Sequence, residues 1–126
     1  RGVLEAVFEA QLQLTRRDPM GFKLRLEFVR MAELDPGIRP EVEALELNQL
    51  EWRRGLFDRL IAQGLLHSGW SAAAATDLMS TMLLGLITQQ SYGFPTGADA
   101  SALVPTLAGC LADCLEAPPV DRSDAP

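Results

Sequence analysis

One stretch, Ser71 to Gly93 (SAAAATDLMSTMLLGLITQQSYG), limits the possible folds of this chain more than any other. It opens on a residue suited to an N-cap and closes on Gly93-Phe94-Pro95, the punctuation of a helix. Between these ends Leu78, Met79, Met82, Leu83, Leu84, Leu86 and Ile87 recur on nearly every side of a helical wheel. A surface helix needs only one apolar stripe, whereas a helix apolar all round must be covered all round. Asp77, Ser80, Thr81 and Thr88 interrupt the run, which falls short of the ~20 mostly apolar residues that a membrane span requires. The cover has to come from the rest of the chain and, where a small helical domain runs out, from a second subunit or a ligand.

The remaining chain divides at helix punctuation. Residues 2–16 carry Leu4, Val7, Phe8, Leu12 and Leu14 at helical spacing, with Glu5 and Glu9 one turn apart on a solvated side. Asp18-Pro19 joins an N-cap residue to a proline pre-shaped for the first turn, and a helix over 19–34 follows. It carries two apolar stripes: Leu24, Phe28 and Met31 on one, Phe22, Leu26 and Val29 on the other. Two stripes imply burial on more than one side. Asp35-Pro36 repeats the start signal, and Pro40 sets the regular helix at 40–63. There Val42, Leu45, Leu50, Phe57, Leu60 and Ile61 are expected inward, Trp52 and Leu56 on a neighbouring line, and Arg53, Arg54, Asp58 and Arg59 on the wet side. Gly64 fits a C-cap, and residues 65–70 (LLHSGW) lead into the central helix at 71–92. Beyond the loop at 94–99, a last helix at 101–116 shows a stripe of Leu103, Val104, Leu107, Ala108, Leu111 and Leu115. The segment 117–126, polar and rich in proline, is expected to be disordered. No strand pattern occurs, so the expectation is an all-α fold, a bundle of about five helices forming one domain over 1–116.

Composition and missing motifs narrow the chemistry. A net charge of −6, with Lys23 the single lysine, argues against this segment gripping nucleic acid, which needs a basic face. Two cysteines without a signal peptide point to a reducing, cytoplasmic setting. The chain starts at Arg1 inside a helical pattern, which reads as the C-terminal part of something longer. His67 is the sole histidine and stands in a linker, so no nucleophilic triad assembles around it. Cys110 and Cys114 lack the further ligands zinc wants and read as small buried packing residues. Phosphate-cradling and dinucleotide glycine motifs are absent from the sequence. The expectation is a protein that is not an enzyme, with no metal and no cofactor.

Several features together are similar in order and spacing to the C-terminal domain of TetR-family transcriptional regulators. They are Asp35-Pro36, Arg53-Arg54, Leu60-Ile61, Gly64-Leu65-Leu66, the alanines at 72–75 and Gly85-Leu86. The resemblance covers about residues 1–116 and is a diffuse pattern without invariant chemistry. It implies an all-helical regulatory domain that follows a DNA-binding helix-turn-helix domain, here absent from the chain, and that binds a small, often apolar effector. It further implies that Ser71–Tyr92 and Ser101–Glu116 pair with their mates in a four-helix dimer interface, which would give the central helix its second cover.

The expected function is therefore effector sensing and homodimerisation in a TetR-like repressor, with DNA contacted only through the missing domain and no membrane involved. The alternative is a structural dimerisation module without a ligand, which a filled interior would favour. Pocket candidates are Phe28, Met31, Trp52, Met79, Met82 and Leu86, with Gln89 and Tyr92 as orienting polar groups. Such a pocket holds no charge, so the expected effector is neutral or weakly polar and hydrophobic. Interface candidates are Leu84, Ile87, Leu103, Leu107, Leu111 and Leu115.

Overall fold

A computed structural model describes residues 1–92 and 99–120. The described residues form five α-helices: α1 (Gly2–Arg17), α2 (Pro19–Leu34), α3 (Arg39–Ala62), α4 (Ala72–Tyr92) and α5 (Val104–Glu116). A single 3-10 turn, Ala100–Leu103, leads into α5, and there is no strand among them. The fold is an all-α bundle, and the helix boundaries lie within a few residues of those read from the sequence.

Side-chain hydrogen bonds set several of these boundaries. The Asp18 carboxylate accepts the Gly21 N–H at 3.0 Å, so a single residue separates α1 from α2. The Asp35 carboxylate accepts the Gly37 N–H at 2.8 Å, which makes Asp35-Pro36 a turn rather than the first turn of α3. Arg39, at the start of α3, donates back to the Ala32 and Glu33 carbonyls at 3.0 and 3.1 Å and so closes the end of α2. The Ser71 hydroxyl accepts the Ala74 N–H at 3.1 Å and caps α4 as its position suggested.

The core lies where α1, α4 and α5 meet the C-terminal half of α3. Phe8, Leu12, Phe57, Met79, Leu83, Leu111 and Leu115 are its largest fully buried side chains. Each contributes roughly 1.5–3 kcal/mol by leaving water, so this end of the molecule holds most of the apolar burial. Thr76, buried among them, satisfies its hydroxyl on the Ala72 carbonyl at 2.7 Å. The other end is different. Ala32 is the one fully buried residue of α2, and α3 has none before Arg53.

The connection between α3 and α4 wraps onto the end of α5. The His67 N–H donates to the Leu115 carbonyl at 2.9 Å, and the Trp70 indole N–H donates to the Ala117 carbonyl at 2.8 Å. His67 Nδ1 accepts the Gly69 N–H at 3.0 Å, so the lone histidine shapes a turn. Of the segment expected to be disordered, residue 117 is held in this way, and 121–126 lie outside the described residues, as does most of the loop at 94–99. Cys110 and Cys114 depart from expectation. Both are exposed, because one turn apart on α5 they share the face opposite Ala108, Leu111 and Leu115. Among the described residues no helix is long and apolar enough to cross a membrane.

Candidate functional site

The two stripes of α2 diverge because the helix meets different neighbours on its two sides. Phe22, Leu26 and Val29 turn toward α4, while Leu24, Phe28 and Met31 turn toward the N-terminal half of α3. Neither contact closes, and three adjoining cavities remain. The outer groove, about 600 Å³, runs between α2 and α3 and is lined by Leu24, Phe28, Met31, Ile38, Val42 and Leu45. A second, of about 420 Å³, lies at the far end of the same pair against Val29, Ala32, Leu47 and Leu50, with Arg39 and Glu43 at its rim. The inner cavity, about 240 Å³, is enclosed by α2, α3 and α4, with Phe22, Leu26, Val29, Leu50, Leu83, Leu84 and Ile87 as its apolar wall.

The polar groups of these cavities meet at Glu46, which lines all three. Arg25 of α2 grips it through Nε and Nη2 at 2.7 and 2.6 Å, a two-point contact that ties α2 to α3. That hydrogen bond holds the Glu46 carboxyl below the usual carboxylate range, while burial works in the opposite direction. The Arg25 guanidinium is correspondingly raised. Arg53 forms the inner end of the site. It is 7 % exposed, its Nη1 donates to the Ser80 hydroxyl at 3.0 Å, and its Nε has no hydrogen-bond partner. Burial pulls the Arg53 pKa down, yet an arginine keeps its charge in such a setting.

The sequence expectations redistribute over this geometry. Phe28 and Met31 line the outer groove together. Met79 and Leu86 are buried in the core cluster, and Met82 is half-buried against it. Trp52 is 55 % exposed and lines none of the three cavities; Gln89 is exposed. Tyr92 is exposed as well, with the Lys23 ammonium 5.1 Å from its ring centroid, so it meets a cation on the surface. Leu84 and Ile87 belong to the wall of the inner cavity, because their side of α4 faces α2 and α3. Leu111 and Leu115 are spent on the protomer's own core, at 1 % and 0 % exposure, and offer no surface to a partner. Leu103 and Leu107 stay on the outward side, exposed and half-buried respectively. The inner cavity, unlike the charge-free pocket expected from the sequence, carries Arg25, Glu46 and Arg53 in its lining.

Sequence reasoning put Arg53 on the wet face of α3 and gave Arg25 and Glu46 no role. A signal for Arg53 was present. Leu50, Arg53, Phe57 and Leu60 recur at the three- and four-residue spacing of one helical face, so the arginine interrupts an apolar line at an inward position.

The family model described as "BetI-type transcriptional repressor, C-terminal" matches residues 1–115. The chain belongs to this family. It is a C-terminal domain of a TetR-family regulator, and the match spans α1 to within a residue of the end of α5. No curated protein and no solved structure matches the chain. The family is one of repressor regulatory domains rather than of enzymes.

Proposed function

We propose that this regulatory domain senses a small amphiphilic effector held between α2, α3 and α4, and that it acts as a homodimer through the outward faces of α4 and α5. The observation that carries the first part is the unfilled space beside Glu46. The outer groove alone has the size of a small-molecule site, and its wall is largely aliphatic and aromatic with a few polar groups, Arg25, Glu41, Glu46 and Gln49. A module built only to dimerise has no use for such a gap, since an unfilled interior forfeits packing contacts. Coupling follows from connectivity. A ligand that draws α2 toward α3 acts on α1 through the one-residue junction at Asp18, and α1 is anchored in the core against α4 and α5. In a repressor that carries DNA-binding heads, an effector with different affinities for two arrangements of these helices selects one of them, and linkage does the rest.

For dimerisation, the outward side of α4 presents Ala74, Leu78, Thr81, Gly85 and Thr88, mostly small side chains that allow another helix to approach. Leu103 of the 3-10 turn, with Leu107 and Cys110 of α5, supplies further side chains that are at least partly exposed. A two-fold pairing uses one such patch twice and should bury at least about 1,000 Å².

Thermal melts with a panel of apolar and amphiphilic compounds test the sensing reading. A ligand at one hundred times its dissociation constant should add about 2.7 kcal/mol of stability, and a panel without any shift contradicts the reading. Sedimentation tests the dimer: the unmodified chain should run as a dimer and Leu107→Arg as a folded monomer. Leu111→Arg is not diagnostic, because it puts a charge into the protomer core.

A further inference from the structure

Arg53 presents a problem that the chain itself does not solve. The residue is 7 % exposed, and its Nε is shut off from solvent. No carboxylate of the described residues forms an ion pair with it within 4.0 Å. Its hydrogen bond goes to the neutral Ser80 hydroxyl, and Nε goes unsatisfied. The charged groups lining the inner cavity are Arg25, Glu46 and Arg53, and both Glu46 oxygens are committed to Arg25. Glu46 attracts Arg53 through space, yet two cations share this one anion, and the cavity wall around them is largely apolar. A buried ion without a counter-charge is unfavourable, and a leucine or methionine at this position would continue the line of Leu50, Phe57 and Leu60.

We infer that Arg53 anchors the anionic head of the effector, a carboxylate whose apolar body extends past the Arg25–Glu46 pair into the groove between α2 and α3. This rests on the sensing function proposed above and names its ligand class. The planar guanidinium fork matches a carboxylate in two-point geometry. Ser80 reinforces it, since a hydroxyl that accepts from Arg53 keeps its own proton to donate to the same anion. The inner cavity accommodates the head, and the outer groove, which shares Arg25, Glu46 and Gln49 with it, accommodates the body against Phe28, Met31 and Val42. A cationic head is disfavoured at the inner end, where Arg25 and Arg53 repel it. A neutral head leaves the Arg53 charge unmatched.

Titration calorimetry on the 126-residue chain with octanoate, octanol and octyltrimethylammonium tests the assignment. The three probes share a tail and differ in head charge. Octanoate should bind at least about tenfold more tightly than octanol, and the ammonium probe most weakly, in line with charge-assisted pairing. Arg53→Met should weaken octanoate by about tenfold or more, leave octanol unchanged or tighter, and melt no lower than the parent. Ser80→Ala, which leaves the packing in place, should weaken octanoate several-fold and octanol not at all, and covers the case in which Arg53→Met does not fold. Equal binding of octanoate and octanol, or octanoate binding indifferent to both substitutions, overturns the anchor while the sensing cavity stands. Failure of all three probes to bind overturns the anchor and counts against the cavity as well.

Discussion

Among the described residues, Gly64 is the one position where a positive φ dictates the residue. Its φ of 71° lies in the left-handed region, and it is the described residue with positive φ. The Gly64 and Leu65 N–H groups donate to the Ile61 and Leu60 carbonyls, each at 3.0 Å, and this double bond pattern ends α3. A Cβ there meets nothing within 4 Å, so Gly64→Ala is strained by conformation alone. It should cost about 1–2 kcal/mol in urea unfolding, and an unchanged midpoint contradicts this. Glu46 gives a second test at the same scale. Its carboxyl is held below its ordinary value, so the pair with Arg25 contributes fully above the unfolded carboxylate range near pH 4.3 and is lost as pH falls through the folded value. Both side chains are over a third exposed, so the contribution is about 1 kcal/mol or less. Glu46→Gln should therefore lower stability slightly at neutral pH and shallow the acid limb of a stability–pH curve. A limb of unchanged slope removes the pair from the account. Gly64 and Arg53 differ in how far the sequence announces them. A glycine after a helical run has one common physical reason, whereas an arginine on an amphipathic helix is nearly always wet. Only the surrounding Leu50, Phe57 and Leu60 marked Arg53 as an exception.

At the scale of elements, boundaries were legible because they are local. Asp18-Pro19 and Ser71 act on backbone groups three residues away, and the structure uses both as caps. Asp35-Pro36 shows the limit of this. The same dipeptide makes a turn here, and α3 starts at Arg39, whose side chain closes α2 instead. Faces were less legible, above all on α4. A helix apolar all round carries no stripe to say which neighbour lies where. The structure resolves it into three sides: Met79 and Leu86 in the core, Leu84 and Ile87 on the inner cavity, and small residues such as Gly85 outward. The leucine ladder across the 3-10 turn and α5 divides likewise, with Leu111 and Leu115 turned in and Leu103 and Leu107 turned out. Leu111→Ala should consequently cost about 2–5 kcal/mol, the range for truncating a well-packed core leucine. Leu107→Ala, half-buried, should cost well under half as much in the protomer. Chemical denaturation of both variants at low protein concentration checks the ranking, and a reversal would mean that α5 is rotated from this orientation.

At the scale of the whole molecule, the main feature is unequal packing. One end, built from α1, α4, α5 and the second half of α3, contains the large buried side chains. The other, α2 with the first half of α3, leaves Leu24, Phe28, Met31, Leu45 and Leu50 at least 39 % exposed and is tied across by the Arg25–Glu46 pair. Opening free energy follows buried apolar contact, so the loosely packed end should open well before global unfolding. Hydrogen exchange should show this as lower amide protection over 19–52 than over the cores of α1, α4 and α5. Binding between α2 and α3 then has a specific consequence. A ligand that supplies the missing contacts raises the local opening free energy toward the global value, so protection should rise most over 19–52. A smaller rise should appear in α1, which is joined to α2 at Asp18. The proposed sensing function calls for such a gradient, because a segment already packed to the density of the core would have nothing to gain from a ligand. Equal protection at both ends without ligand, or a ligand-induced increase confined to α5 and the outward face of α4, would place the responsive region elsewhere.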